Sequence, residues 1–110
     1  MTWIQFASEP MEGRKDEYYY SVSWEPRIDG ATKGISAHSD GFPAILCQTL
    51  EALVNYTKSN KVESVEIDLL GTFPKAYVDR LETLFSLYSR AEKVDVKYRN
   101  IISEVTYQRP

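Results

Sequence analysis

The sequence predicts an α/β (α+β) two-layer sandwich, in which a mixed sheet of four to five strands carries two helices on one face. This prediction depends on short segments of alternating apolar and polar residues, and on two longer segments with apolar residues at helical spacing. The segments follow one another as β-β-β-α-β-α-β, with a last strand if residues 101–108 are extended. The 110 residues contain no linker, repeat or low-complexity tract, which predicts a single domain over 1–110.

The first strand is predicted at 2–8 and the third at 34–39. A polar loop separates the first strand from the second, which covers 17–25. Asp29-Gly30 is a turn signal between the second and third strands, so these two are expected to form a hairpin with a loop of about eight residues.

The second strand, EYYYSVSWE, places three tyrosines in a row with a tryptophan four residues after the last of them, which raises the question of an aromatic binding platform. Neighbouring side chains of a strand point to opposite faces, so alternation divides the segment. The side chains expected to face the helices are Tyr18, Tyr20, Val22 and Trp24. Tyr19 is then the aromatic side chain of the other face, beside small serines and Glu25.

Two amphipathic helices follow. The apolar face of the first comprises Phe42, Ile45, Leu46, Leu50, Leu53 and Val54. Ser39 or Asp40 is its expected cap, and Pro43 suits its first turn, where a missing N–H costs nothing. The apolar face of the second comprises Tyr77, Leu81, Leu84, Phe85 and Tyr88. Thr72 is its expected cap, with Pro74 in its first turn.

The remaining strands alternate clearly between apolar and polar side chains. The apolar sets are Val65, Ile67 and Leu69 in the first of them, and Val94, Val96 and Tyr98 in the second. The polar sets are Ser64, Glu66 and Asp68, and Asp95, Lys97 and Arg99. A strand buried on both faces would not carry two carboxylates so close together, so the polar face is expected to be solvated or to meet a partner. Two alternatives are open for the charges of Asp95, Lys97 and Arg99: they pair with the acidic strand if the two strands are adjacent, or they pair with another protein.

Charge and composition exclude several classes of protein. The net charge is −3, with 13 basic and 16 acidic residues and no basic cluster, which argues against nucleic-acid binding. No apolar run approaches the length of about 20 residues that a membrane span needs, and no secretory signal is evident. Cys47 is the only cysteine, so we expect a small buried thiol, no disulfide within the chain and a cytoplasmic protein.

The candidates for catalysis are few. His38 and Asp40 are residue types of hydrolytic or metal sites, and a small enzyme with a site near them is one alternative. Neighbours in one strand cannot form a catalytic triad, which favours a polar strand end with a helix cap instead. Asn55 opens a glycosylation sequon that lies inside the first helix and is discounted. No glycine-rich phosphate loop is present, and we expect neither a cofactor nor a metal.

Residues 34–99 run from GISAHS through LLGTFP to KVDVKYR. Their succession of strand, helix, strand, helix and strand resembles the STAS-like fold, including the SiaC-type regulatory proteins. The resemblance implies a regulatory domain switched by phosphorylation of a Ser or Thr before the second helix, which here is Thr72. The family's Asp-Ser-Ser/Thr signature is absent, and Phe73 and Pro74 occupy positions where small polar residues are expected.

The favoured hypothesis is a non-enzymatic protein that binds and controls another protein, for example an immunity-type inhibitor that blocks a toxin. Tyrosines anchor protein interfaces, and an acidic surface complements a basic cleft. A basic toxin and a regulatory kinase or phosphatase are the candidate partners, and a homodimer is also open. The candidate contacts on the polar sheet face are Tyr19, Glu25, Glu66, Asp68, Lys97 and Arg99.

Overall fold

The computed structural model describes residues 2–10, 12–13, 18–25 and 41–99. Its elements in chain order are β1 (Thr2–Pro10), β2 (Tyr18–Glu25), α1 (Phe42–Ser59), β3 (Ser64–Leu70), α2 (Lys75–Glu92) and β4 (Asp95–Arg99). The described order, β-β-α-β-α-β, agrees with the predicted architecture. The predicted strands at 34–39 and 101–108 lie outside the described residues.

The four strands among the described residues form one mixed sheet in the order β2-β1-β3-β4. β1 pairs antiparallel with β2 and parallel with β3, and β3 pairs parallel with β4. The parallel pair β3–β4 requires a crossover, which α2 provides. The two central strands are therefore β1 and β3, and the acidic side chains of β3 have neighbours on both sides.

Both helices pack on the same side of the sheet. The ring of Phe6 on β1 lies 5.7 Å from the ring of Phe42 on α1 and 6.4 Å from that of Phe85 on α2, measured between centroids. The buried hydrophobic strand residues of this side are Ile4, Phe6, Tyr20, Val22, Trp24, Val65, Ile67 and Leu69. This set confirms the predicted alternation, and with the helix residues it forms one apolar core.

The helix starts differ from the prediction in detail. α1 begins at Phe42 with Gly41 as its N-cap and Pro43 in its first turn, as expected. The predicted capping residues Ser39 and Asp40 lie outside the described residues. α2 begins at Lys75.

The prediction of Thr72 as the cap of α2 is wrong. The N-cap is Pro74, whose ψ of 141° keeps the chain extended up to the helix and leaves Thr72 two residues before the cap. The cap position therefore has no side-chain hydrogen bond to the helix.

A tight turn at Gly71 connects β3 to the loop before α2. Gly71 has a φ of 105°, a conformation that residues with a Cβ rarely adopt. A Cβ at this position would also collide with the backbone carbonyl of Ser8 at the end of β1. The glycine thus lets β3 leave the sheet against β1, and it brings the fully buried Phe73 into the core.

Cys47 is exposed, so the prediction of a buried thiol is wrong. Its position on α1 is about 200° around the helix axis from the buried Ile45. Cys47 contributes to a surface groove of about 490 Å³, whose other lining residues are Asp79, Arg80, Thr83 and Leu84 of α2.

Candidate functional site

The side of the sheet opposite the helices carries all six predicted contact residues, and we call it the outer face. Its described members are Trp3, Gln5, Ala7 and Glu9 of β1, Tyr19, Ser21, Ser23 and Glu25 of β2, Ser64, Glu66, Asp68 and Leu70 of β3, and Asp95, Lys97 and Arg99 of β4. Strand alternation places them there, because the residues between them form the core. The predicted sharing of one face by β3 and β4 is confirmed by their register.

Strand register aligns these side chains in rows across the sheet. Glu25, Trp3, Glu66 and Lys97 are successive Cα partners, and we call them the Trp3 row. The next row consists of Ser23, Gln5, Asp68 and Arg99. Neighbouring strands lie about 4.8 Å apart, so side chains within a row are in reach of one another.

An ion pair joins β3 and β4 on this face. Arg99 Nη2 lies 2.8 Å from Glu66 Oε2 and donates a hydrogen bond to Oε1 at 3.2 Å. The Glu66 side chain is 12% exposed and that of Arg99 is 59% exposed. The prediction that opposite charges pair if these strands are adjacent is confirmed for Glu66 and Arg99.

Asp68 departs from the prediction of a solvated side chain, because it is buried with 6% of its surface exposed. Its strand is central, with Gln5 and Arg99 as register partners on either side. Gln5 Nε2 donates a hydrogen bond to Asp68 Oδ2 at 3.2 Å, which satisfies part of the carboxylate's need for donors. Asp68 therefore supports the sheet face, and little of it is accessible to a partner.

Tyr19 is the aromatic side chain that alternation predicts for this face, and it is 48% exposed. Tyr20 and Trp24 are 1% and 2% exposed on the helix side, so most of the aromatic segment is core. Leu70 is also on the outer face and is 52% exposed. The outer face thus combines exposed apolar surface with carboxylates, and aromatic side chains such as Tyr19 are enriched in protein interfaces.

Charge divides the outer face into two parts. The outer-face residues of β3 and β4 include Lys97 and Arg99, which face the carboxylates of Asp95 and Glu66 at 3.9 and 2.8 Å. The outer-face residues of β1 and β2, which we call the acidic half, include Glu9 and Glu25 and no Lys or Arg. Neither glutamate forms an ion pair with a described residue, and both are exposed.

Trp3 is a functional candidate that the sequence patterns did not single out. It lies in the acidic half, is half-buried, and is not part of the apolar core. The signal was present in the alternation of the first strand, since Ile4 and Phe6 face the helices and Trp3 must then face away. A lone tryptophan in a short strand is a weaker signal than the three consecutive tyrosines of β2, although the same alternation divides both strands.

The buried phenols offer no base for catalysis near neutral pH. Burial, with a smaller contribution from the nearby phenols of Tyr77 and Tyr18, raises the pKa of Tyr20 to about 12. Burial also raises the pKa of Tyr88, although its hydroxyl shares a 2.7 Å hydrogen bond with that of Thr57. These hydroxyls therefore stay protonated, and their role is structural.

The remaining candidates are Thr72 and the pair His38 and Asp40. Thr72 is half-buried in the loop before α2. His38 and Asp40 lie outside the described residues. Within the described ranges, no group of three or more His, Cys, Asp and Glu side chains is placed to hold a metal ion. Neither described helix has an apolar stretch that would let it cross a bilayer.

The comparisons with known proteins identified no relative of this chain. No protein-family model, no curated protein and no solved structure matches this chain.

Proposed function

We propose that this chain is a non-enzymatic, cytoplasmic protein that regulates or inhibits another protein by docking its outer face onto a basic surface. An immunity-type inhibitor that covers a toxin's active site is the concrete form of the proposal. The mechanism is steric: the sheet occupies the partner's cleft, and no covalent chemistry is required of this chain.

The observation that carries the proposal is the acidic half of the outer face. It presents the exposed ring of Tyr19 directly across from Glu9 in the strand register, and it presents Glu25 at the other end of β2. Both glutamates are exposed and have no cation beside them among the described residues. Partly apolar surfaces with tyrosine or tryptophan at the centre are typical of interfaces. Carboxylates without an internal counter-ion attract a basic partner and accelerate association.

Glu66 and Asp68 have a supporting role in this proposal. Glu66 is held by Arg99, and Asp68 is buried beside Gln5. These contacts fix the middle of the sheet face, so that Tyr19 and Glu25 approach the partner on a rigid surface. Lys97 and Arg99 lie at the margin of the contact and disfavour partners whose surface is basic there.

The experiment is a capture from the native cell followed by kinetics with the captured partner. Glu25→Lys is expected to slow association several-fold and to weaken the salt dependence of the rate. Glu51→Lys is the matched control, because Glu51 is an exposed residue of α1 on the opposite side of the sheet. Equal association rates for the two variants, or rates that do not respond to salt, would contradict docking through the acidic half.

A phosphorylation switch at Thr72, as in STAS-like regulators, is the second candidate. One observation favours it: the first turn of α2 has neither a side-chain cap nor an acidic residue. A phosphate on Thr72 would therefore lie near the positive end of the helix dipole with no internal competitor.

The test of the switch is Thr72→Asp, which is expected to change partner binding. Thr83→Asp introduces the same charge at an exposed position of α2 and serves as the control. If Thr72→Asp binds the captured partner as the unaltered chain does, and kinase treatment labels nothing, the switch is excluded.

A further inference from the structure

The Trp3 row brings an indole between two carboxylates on adjacent strands. Trp3 is the Cα partner of Glu25 on β2 and of Glu66 on β3. At a strand spacing of about 4.8 Å, a flat cation lying over the indole would be within reach of a carboxylate. The indole is half-buried and lies outside the core, so part of it is accessible from this face.

One of these carboxylates already binds a guanidinium. Arg99 reaches diagonally from β4 and contacts both carboxylate oxygens of Glu66, at 2.8 and 3.2 Å. On the other side of Trp3, Glu25 is exposed and forms no ion pair with a described residue. Within the Trp3 row, the carboxylate on β3 is therefore already paired with an arginine, and the carboxylate on β2 is accessible.

We infer that Trp3 and Glu25 form a receptor for an arginine side chain of the partner protein, with the guanidinium stacked on the indole and paired with Glu25. The inference rests on the proposed function, because it names the chemical group through which the partner binds the acidic half. Tyr19 lies three rows from Glu25 on the same strand, and it provides exposed aromatic surface for a more distant part of the partner.

Arginine fits this row better than lysine for geometric reasons. Its guanidinium is planar and stacks on an aromatic ring while its N–H groups point outward in the plane toward a carboxylate. A lysine ammonium is a strongly hydrated point charge with no flat group to stack on the ring and no fixed pair of donors for a carboxylate. The site should therefore distinguish two peptides of equal charge.

The experiment uses the full chain labelled with ¹⁵N and two probes of equal charge, a hexa-arginine peptide and a hexa-lysine peptide. The chain has two tryptophans, so two indole N–H resonances report the binding. The resonance of Trp3 is expected to move saturably with hexa-arginine. The resonance of Trp24, which is 2% exposed on the helix side, is the internal control and should stay in place.

Two variants test whether the binding of hexa-arginine depends on the Trp3 row. Glu25→Gln is expected to weaken hexa-arginine binding about two- to fivefold, the size of one exposed ion pair, because the stacking on Trp3 remains. Glu51→Gln removes a charge from α1 and should leave the affinity unchanged, apart from a small general effect. Both positions are exposed, so neither substitution threatens the fold.

Three outcomes would overturn the inference. They are an unmoved Trp3 resonance, hexa-lysine binding as tight as hexa-arginine with the same shift, and equal losses in the Glu25 and Glu51 variants. The result is separable from the proposed function. If peptide binding fails while Glu25→Lys still slows a captured partner, the docking face stands without an arginine receptor. If peptide binding succeeds and the Glu25 and Glu51 variants associate equally with that partner, the function fails and the receptor stands.

Discussion

Tyr19 and Tyr20 are adjacent residues of the same type with opposite environments. Tyr19 is 48% exposed on the outer face, and Tyr20 is 1% exposed among the rings of Phe42, Phe73 and Tyr77. The same contrast runs along every strand, because one side of the sheet holds the core and the other holds charges. Strand parity, and not residue type, therefore decides which aromatic side chains stabilise the fold and which are accessible to a partner.

The largest expected difference is in stability, between substitutions on the helix side of the sheet and substitutions on the outer face. Phe6→Ala removes a ring that contacts both helices, and we expect it to lower the free energy of unfolding by about 3–5 kcal/mol. Trp3→Leu, on the outer face of the same strand, should cost about 1 kcal/mol or less. Urea denaturation followed by circular dichroism measures both. Comparable losses would break the distinction between the two sides.

The next effect on stability concerns the turn at Gly71, where the backbone approaches the Ser8 carbonyl of β1 closely. Gly71→Ala should destabilise the protein by about 2–3 kcal/mol, because the new Cβ meets the Ser8 carbonyl at a strained φ of 105°. Gly13→Ala is the matched control, since Gly13 has a φ of 75° and open space around it. A cost of about 1 kcal/mol is expected there. Equal melting temperatures for the two variants would argue against the close approach.

Alkaline pH is expected to destabilise the protein through the buried phenol of Tyr20. The unfolded chain releases the Tyr20 proton near its ordinary pKa of 10.0, whereas burial raises the pKa in the folded chain to about 12. The unfolded state binds fewer protons in this window, so stability falls as the pH rises from 10.0 to about 12. The loss should be on the order of 1–2 kcal/mol.

Chemical denaturation at several alkaline pH values measures this loss. Tyr20→Phe should flatten the decline, whereas Tyr19→Phe should leave it intact because Tyr20 is still present. The buried Tyr88, whose pKa is also raised, accounts for part of the slope that remains. A decline that is the same in all three proteins would contradict the assignment to Tyr20.

The smallest expected effect concerns the ion pairs of the outer face. Arg99→Ala leaves Glu66 without its partner and should cost about 0.5–1 kcal/mol, less at high salt, since Arg99 is largely exposed. Lys97→Ala should cost less than about 0.5 kcal/mol, because Lys97 and Asp95 are both exposed and 3.9 Å apart. Thermal denaturation at two salt concentrations compares the two variants. A larger loss of stability for Lys97→Ala than for Arg99→Ala would contradict the larger contribution of the Arg99–Glu66 pair.

The sequence predicted the fold class and the parity of β2, β3 and β4, because alternation and helical spacing are local patterns. It did not predict which strands are central. Strand order comes from contacts between distant segments, and that order is why Asp68 is buried against Gln5. For the same reason, the sequence predicted the pairing of Glu66 with Arg99 only on the condition that their strands are adjacent.

Other differences have local causes that the pattern did not resolve. Cys47 is close to the apolar stripe in sequence, but one residue of rotation carries it from the buried side of α1 to the surface. Thr72 has the residue type of a helix cap, yet the extended Pro74 occupies the cap position itself. Trp3 was overlooked although alternation places it on the outer face. For Cys47 and Thr72 the difference is one or two positions, and for Thr72 it is the usual uncertainty of a helix boundary.

The exposed Cys47 makes the molecule easy to label. It is the only thiol of the chain, so a maleimide dye attaches at a single position without further engineering. Because α1 packs on the helix side of the sheet, the dye lies away from Trp3, Tyr19 and Glu25. Fluorescence anisotropy of the labelled protein would then follow complex formation through slower tumbling, while the outer face keeps its native surface.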